Sequence, residues 1–300
     1  MSNFKDWLTA ARPRTLPLSL ACIGMGAFLA ASVGKFDTTI FALCVLTTVF
    51  LQILSNFSND YGDTVHGADS KDREGPKRAV QSGAISAKSM KNAITLFSSL
   101  SFLAGLSLLW VSFGWNPAVF VVFILLGLLS IYAAITYTSG SRPYGYAGLG
   151  DLSVLIFFGL VGVVGTYFLF TKSLSWTVFL PSISCGLFSV AVLNINNVRD
   201  IESDKLAGKK SVPVRIGRPK AVIYHWLLLI MGLLSSTTYM LLVFEGYLQF
   251  LFVLTFPLFI KNGIAVMNKQ NPSDLDPYLK QMALTTLLFV ITFGLGLLLG

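Results

Sequence analysis

Charge is what this sequence is short of. Of 300 residues, 22 are Lys or Arg and 14 are Asp or Glu. That is 12% of the chain, against about 25% in soluble domains. So few charges cannot clothe a water-facing globule, which argues against a soluble enzyme. Histidine is scarce as well. His66 and His225 have no metal-like partner at helical spacing, and neither is assigned a role. The three cysteines, Cys22, Cys44 and Cys185, lie in apolar runs without CxxC spacing. They read as small core residues and carry no information on redox compartment.

What the chain has in abundance is apolar length. Hydrophobic residues make up 54% of it. They gather into nine runs near 15–33, 39–58, 90–111, 117–137, 151–171, 176–196, 221–242, 246–266 and 281–299. Each approaches the roughly 20 residues that cross a bilayer core as helix. The predicted fold is all-α: a polytopic membrane protein, a bundle of nine transmembrane helices around a central cavity, with 1–300 as a single domain. The first run is long and lacks a convincing cleavage site, so it is expected to remain as the first helix. The net charge of +8 is unevenly spread: alternate loops hold 20 of the 22 basic residues, and only Lys35 and Lys172 fall on the other side. The positive-inside rule then predicts a cytoplasmic N-terminus and a C-terminus on the opposite face of a cytoplasmic (inner) membrane. Membrane topology accounts for the basic balance without any nucleic acid.

Two loops on the basic side are long, 59–89 and 197–220, and both open with acid. The second run ends in NDYGD (59–63) and leads into GPKRAVQSG. The sixth ends in NINNVRDIESD and leads into AGKKSVPVRIG. The order is the same each time: a polar helix end, paired carboxylates, then glycine and bases. This weak echo suggests two halves of a bundle facing one site. In the second run Gln52, Ser55, Asn56, Asn59, Asp60 and Asp63 are spaced 3, 1, 3, 1 and 3, one face of a helix. In the sixth, Asn196, Asp200 and Asp204 are four apart and are expected to stack on one side.

Carboxylates near a membrane need partners. Two acidic pairs at the same end of two helices repel unless a cation lies between them. Asp and Asn oxygens suit magnesium, which keeps positions open for water and phosphate. The expected Mg2+ ligands are therefore Asn59, Asp60, Asp63, Asn196, Asp200 and Asp204. Lys77, Arg78, Lys209 and Lys210, in the basic segments that follow, are expected to grip phosphate oxygens. Acids, metal and bases together read as a diphosphate site opening into a membrane cavity. Asp69 and Asp72 read instead as solvated loop charges.

These strings resemble those of the UbiA superfamily of intramembrane aromatic prenyltransferases. That family carries an NDxxDxxxD-type motif at the end of its second helix and a DxxxD motif at the end of its sixth, matched here by NDYGD and DIESD (200–204). RAVQSG (78–83) and GKKS (208–211) resemble its basic segments. The chain departs from the family in having Gly67 where many members place a third Asp, with Asp69 two positions later. That shifted pattern, with ITYTSGSRPYGYAGLGD and AVLNINNVRDIESD, is similar to the branch that prenylates 1,4-dihydroxy-2-naphthoate. The resemblance implies polyprenyl diphosphate and 1,4-dihydroxy-2-naphthoate as substrates, the lipid bilayer as surroundings, and an active site facing the cytoplasm. It implies catalytic roles for Asp63 and Asp200, prenylation of the ring carbon that bears the carboxylate, and loss of carbon dioxide. It also implies roles for Tyr137 as a shield for an allylic cation and for Arg142 at the diphosphate. Tyr137 reads equally as a tyrosine of the interfacial belt. Asp151 reads as a helix N-terminal charge or as a site residue. Arg12 and Arg14 either contact an acceptor carboxylate or only orient the chain.

Three other readings stay open at the level of sequence. A secondary transporter also carries intramembrane carboxylates, but at the midplane rather than beside basic loops. A prenyltransferase for 4-hydroxybenzoate or homogentisate shares the same motifs. A CDP-alcohol phosphotransferase groups its aspartates in one continuous signature, whereas here the two pairs lie far apart in the chain.

Overall fold

A computed structural model describes residues 3–67 and 78–300. Among these residues, nine helices are long and apolar enough to cross a membrane. They are α1 (Phe4–Ser32), α2 (Thr38–Val65), α3 (Ala87–Phe113), α4 (Pro117–Thr136), α5 (Gly150–Thr171), α6 (Trp176–Arg199), α7 (Arg218–Leu242), α8 (Tyr247–Asn268) and α9 (Pro272–Leu299). The predicted runs are all present. The helices outreach them mainly at polar ends, because hydropathy marks the bilayer core and not the last turns of a helix.

α2 shows the reason. Asp37 caps it by accepting from the Ile40 amide at 2.9 Å, and it then runs for 28 residues. At 1.5 Å per residue that is about 42 Å, more than the roughly 30 Å hydrocarbon core. NDYGD is therefore wound into the helix and stands at the membrane boundary. α1 is interrupted at Arg12, which takes a left-handed conformation with φ 50°, and resumes as a spanning helix at Leu16. Its first part, Phe4–Ala11, begins with an Asn3–Asp6 capping box.

α6 is the central rod. It packs against α1, α5, α7 and α9, while α2 packs on α1, α3 and α4. Within α6 Phe188 is fully buried, its ring centre 4.4 Å from that of Phe259 on α8 and 5.1 Å from that of Phe289 on α9. α4 is the opposite case, with a lipid-facing surface along most of its length. A smaller cluster holds Ala10 and Trp7 of α1 against Phe57 of α2 and against Ala79 and Ile85. That cluster fixes the chain just after Arg78, so the first helix supports the base expected at the site.

α6 and α2 end differently. α6 stops at Arg199, and Asp200 (φ −98°, ψ 14°) joins it to a short helix, Ile201–Leu206. The Asp204 amide still donates to the Asp200 carbonyl at 2.8 Å, which keeps both acids on the same side of the break.

Candidate functional site

The two acidic ends meet across a cavity of about 240 Å³. α2 contributes Gln52, Asn56, Asn59 and Asp63 to its lining, and α6 contributes Asn196. Asp200 and Asp204 line it from just beyond α6. The sequence-predicted stripe on α2 is thus narrower than expected. Ser55 and Asp60 do not line the cavity.

Asp63 sits at the centre and is buried. Its carboxylate pairs with the Arg78 guanidinium, accepts from the Tyr146 hydroxyl at 2.7 Å, and lies 3.3 Å from the Lys209 ammonium. The same ammonium lies 3.3 Å from Asp204 and 4.9 Å from the centre of the Tyr146 ring. Asp63 and Asp204, 141 positions apart in the chain, converge on a single cation. Burial lifts the Asp204 carboxyl above the ordinary carboxylate range. Lys209 pulls it back, and Asp200 and Asp63 push it up.

Asp200 is also buried, and both of its oxygens are held by its neighbour Arg199: Nε donates at 2.7 Å and Nη2 at 2.6 Å. Arg199 donates in addition to Asn196 Oδ1 at 2.8 Å and pairs with Asp276 at the start of α9. This arginine therefore ties the acidic end of α6 to α9. Asn59 Oδ1 accepts from Thr138 at 3.2 Å, and Thr138 also donates to the Ser58 carbonyl at 3.1 Å. So close an approach is possible because residue 62 is glycine: a Cβ there would lie 2.5 Å from the Thr138 hydroxyl oxygen.

Asp60 is turned away from the cavity. Its two oxygens accept from the backbone amides of Ala79 and Val80 at 3.0 and 2.9 Å, so it organises the chain beside Arg78. Of the expected ligands, Asp60 therefore lies outside the cavity lining. One turn of helix separates Asp60 from Asp63, and the returning loop captures the first while the cavity receives the second.

The expected phosphate-gripping bases divide similarly. Arg78 and Lys209 line the cavity. Lys210 does not: its side chain is exposed, and its backbone amide donates to the Tyr146 carbonyl at 2.9 Å. Arg142 is exposed and outside the lining. Lys77 lies outside the described residues, as do Asp69 and Asp72. The segment after α4 folds back so that Tyr137 lines the cavity, its ring 5.3 Å edge-on from Tyr144. Burial, then the neighbouring Tyr144 and Asp63, raise the Tyr137 phenol and keep it protonated. Gly148, with φ +83°, lets this segment touch the loop after α6, since a Cβ there would clash with the Lys210 carbonyl and with Arg215.

Several lining or supporting residues escaped sequence reasoning. Tyr146 was one aromatic in a glycine-rich loop, and only its place opposite Asp63 marks it. Arg199 carries no signal in the sequence beyond directly preceding Asp200. Asp276 had no signal at all. The cavity lining also includes the bases Arg12, Arg14 and Lys280 and the amides Gln52 and Asn56. The Asn56 amide donates to the Ala11 carbonyl at 2.8 Å and to Thr15 at 3.1 Å, which fixes the interrupted α1 beside α2. Asp151 lines the wall and accepts from Tyr224 at 2.7 Å.

Comparison with known proteins identifies the family and the fold. Residues 19–287 match the UbiA prenyltransferase family. The chain is 48% identical over 300 residues to a 1,4-dihydroxy-2-naphthoate octaprenyltransferase of Haemophilus influenzae, covering 99% of this chain and 97% of that protein. It is 44% identical to the Escherichia coli protein of the same name, covering 100% and 97%. Among solved structures, a UbiA homolog from Archaeoglobus fulgidus superposes with a TM-score of 0.68 at 14% identity, over 98% of this chain and 100% of that one. The same homolog bound to GPP and Mg2+ superposes with a TM-score of 0.65 at 15% identity, with the same coverage.

Proposed function

The chain belongs to the UbiA prenyltransferase family, and we propose that it transfers a polyprenyl group from polyprenyl diphosphate to 1,4-dihydroxy-2-naphthoate, releasing carbon dioxide and diphosphate. The observation that carries this reading is the full-length likeness to two proteins of that named activity, joined to a cavity lined by both carboxylates and bases. The whole chain, 1–300, acts as one membrane domain.

The acidic end suits a divalent metal. Its donors are carboxylate and amide oxygens, which fit Mg2+, and Asp63 and Asp204 already converge on one positive charge. Asp63, Asp200 and Asp204, with Asn59 and Asn196, would hold it. Bound there, Mg2+ would neutralise diphosphate oxygens and make them a better leaving group. Arg78 and Lys209 add positive charge on the same side, so charge developing on the departing diphosphate meets fixed cations. Lys209 exchanges its carboxylate partners for phosphate when the substrate enters.

The donor C–O bond breaks and its electron pair leaves with the diphosphate. Tyr137, neutral and lining the cavity, presents its ring to the resulting allylic cation. The ring carbon of the acceptor that bears the carboxylate supplies the electrons for the new C–C bond. That carbon has no proton to lose, so the carboxylate departs as carbon dioxide and its bonding pair restores aromaticity. Arg12, Arg14 and Lys280 meet the acceptor carboxylate and hold that carbon toward the prenyl group. Buried walls keep water from the cation. The excess of Lys and Arg in the loops on that side supports an acidic end at the cytoplasmic face of a cytoplasmic membrane, with the N-terminus inside and the C-terminus outside.

The test is stoichiometric. Acceptor labelled at its carboxyl carbon is expected to lose one volatile label for each prenyl transferred, and the reaction is expected to stop on exhaustive chelation and resume with magnesium. A prenylated product that keeps its carboxylate would point to another aromatic acceptor while leaving the acidic site in place.

A further inference from the structure

A second groove lies on the outside of the bundle. It has a volume of about 360 Å³ and is lined by α8 together with Lys269 and Tyr278. The α8 residues are Pro257, Ile260, Lys261, Ile264, Ala265 and Asn268, one helical face. None of these residues belongs to the acidic cavity.

α8 carries two adjacent polar residues with opposite surroundings. Asn262 is fully buried. Its Oδ1 lies 2.9 Å from His225 Nε2, and its amide donates to the Tyr278 carbonyl at 3.1 Å. Lys261 is exposed inside the spanning helix, and its ammonium has no hydrogen bond or ion pair among the described residues. A lysine on the outer face of a membrane span is costly unless an anion meets it or its stem snorkels to the interface. The groove lining contains no Asp or Glu. Asp276, which precedes Tyr278 by two positions, is already engaged by Arg199. Lys269 stands two helical turns further on, about 12 Å along the axis. Arg218 donates to the carbonyls of Val266 and Lys269, which brings a third cation to the same end. Exposed Ile264 lies between the two lysines, and exposed Ile260 lies beside Lys261 on the side away from Lys269.

We propose that this groove binds an anionic bilayer phospholipid, with its phosphate on Lys261 and Lys269 and one acyl chain along Ile260 and Ile264. The ligand is a lipid because the cations border an apolar trough on the membrane-facing surface. Free phosphate would use the lysines and leave that trough empty. The site is independent of the prenyl-transfer reading.

The experiment titrates the purified full chain in neutral detergent with phosphatidylglycerol, phosphatidylcholine or inorganic phosphate and counts adducts by native mass spectrometry. Phosphatidylglycerol is expected to bind most tightly. Joint replacement Lys261→Ala and Lys269→Ala is expected to weaken it roughly thirtyfold, each lysine near the surface contributing about fivefold. Ile264→Trp, which fills the trough and keeps both charges, is expected to weaken it too. Both variants are expected to keep wild-type thermal unfolding and prenyl transfer. Unchanged phosphatidylglycerol binding in the double variant would overturn the proposal. So would displacement of the lipid by inorganic phosphate alone, or a dimer in place of a lipid adduct that the same substitutions dissociate. Should the double variant fail to fold, unaltered lipid binding in Ile264→Trp overturns it alone.

Discussion

The acidic ends of α2 and α6 carry the same residue types in the same order, yet they are held in opposite ways. Asp63 is held from outside its helix, by Arg78, Tyr146 and Lys209. Asp200 is held from within, by the arginine that precedes it, and that arginine is anchored on Asp276. In the first pair Asp60 is drawn to the backbone of the returning loop. In the second Asp204 stays in the cavity, because the bond from its amide to the Asp200 carbonyl keeps the two acids on the same side of the helix break. An acidic pair is a unit of sequence, but each member answers to whichever neighbour the fold brings nearest.

Removing the internal clamp is the most drastic way to break this comparison. The Arg199 and Asp200 side chains are 1% and 5% exposed, and leaving one member of such a pair without its partner costs about 3–5 kcal/mol. Arg199→Ala is expected to lower the unfolding temperature in detergent sharply, and wild-type stability would disprove the clamp. Asp63→Ala and Asp200→Ala come next. Each is expected to cut turnover by about a hundredfold or more while the protein stays in the membrane, as loss of one electrostatic group at a reacting centre does. Asp274→Ala, in the first turn of α9, is the near-neutral control. Wild-type turnover in Asp63→Ala would remove the site assignment.

Asp60→Asn sharpens the contrast within α2. It leaves the amide of buried Ala79 or of half-buried Val80 without its acceptor, at up to about 1–3 kcal/mol. Stability is expected to fall while the magnesium concentration for half-maximal rate stays the same, and a large change in that concentration would return Asp60 to the metal. The smallest effects concern the bases. Lys209→Ala is expected to raise the KM for the diphosphate substrate several-fold and leave the aromatic KM alone, whereas Lys210→Ala and Arg142→Ala change neither. Equal effects of Lys209→Ala on both substrates would make it a structural tie. The raised Asp204 carboxyl adds a pH signature. It takes up its proton at a higher pH than an ordinary carboxylate, so acidification removes its charge early. The magnesium requirement is therefore expected to climb as pH falls, with Asp204→Asn flattening that climb.

Nine spans, their order, and the two acidic helix ends were legible in the sequence, because apolar length and polar periodicity are local properties read a few residues at a time. Asp63, Asp200, Asp204, Asn59 and Asn196 were legible for the same reason, each standing on a helix face that alternates with apolar residues. Which of the bases reach the cavity was not legible: Lys209 and Lys210 are neighbours in one basic run, and only the contact between the Lys210 amide and the Tyr146 carbonyl turns one inward and the other out. Tyr146, Arg199 and Asp276 had no distinguishing local pattern, and their roles exist only because three separate helix ends close on one another. The chemistry of the cavity was written in residue types along two helices. Which of them line it was decided by tertiary structure, since a carboxylate pairs with the donor nearest in space, and folding brings that donor from far along the chain.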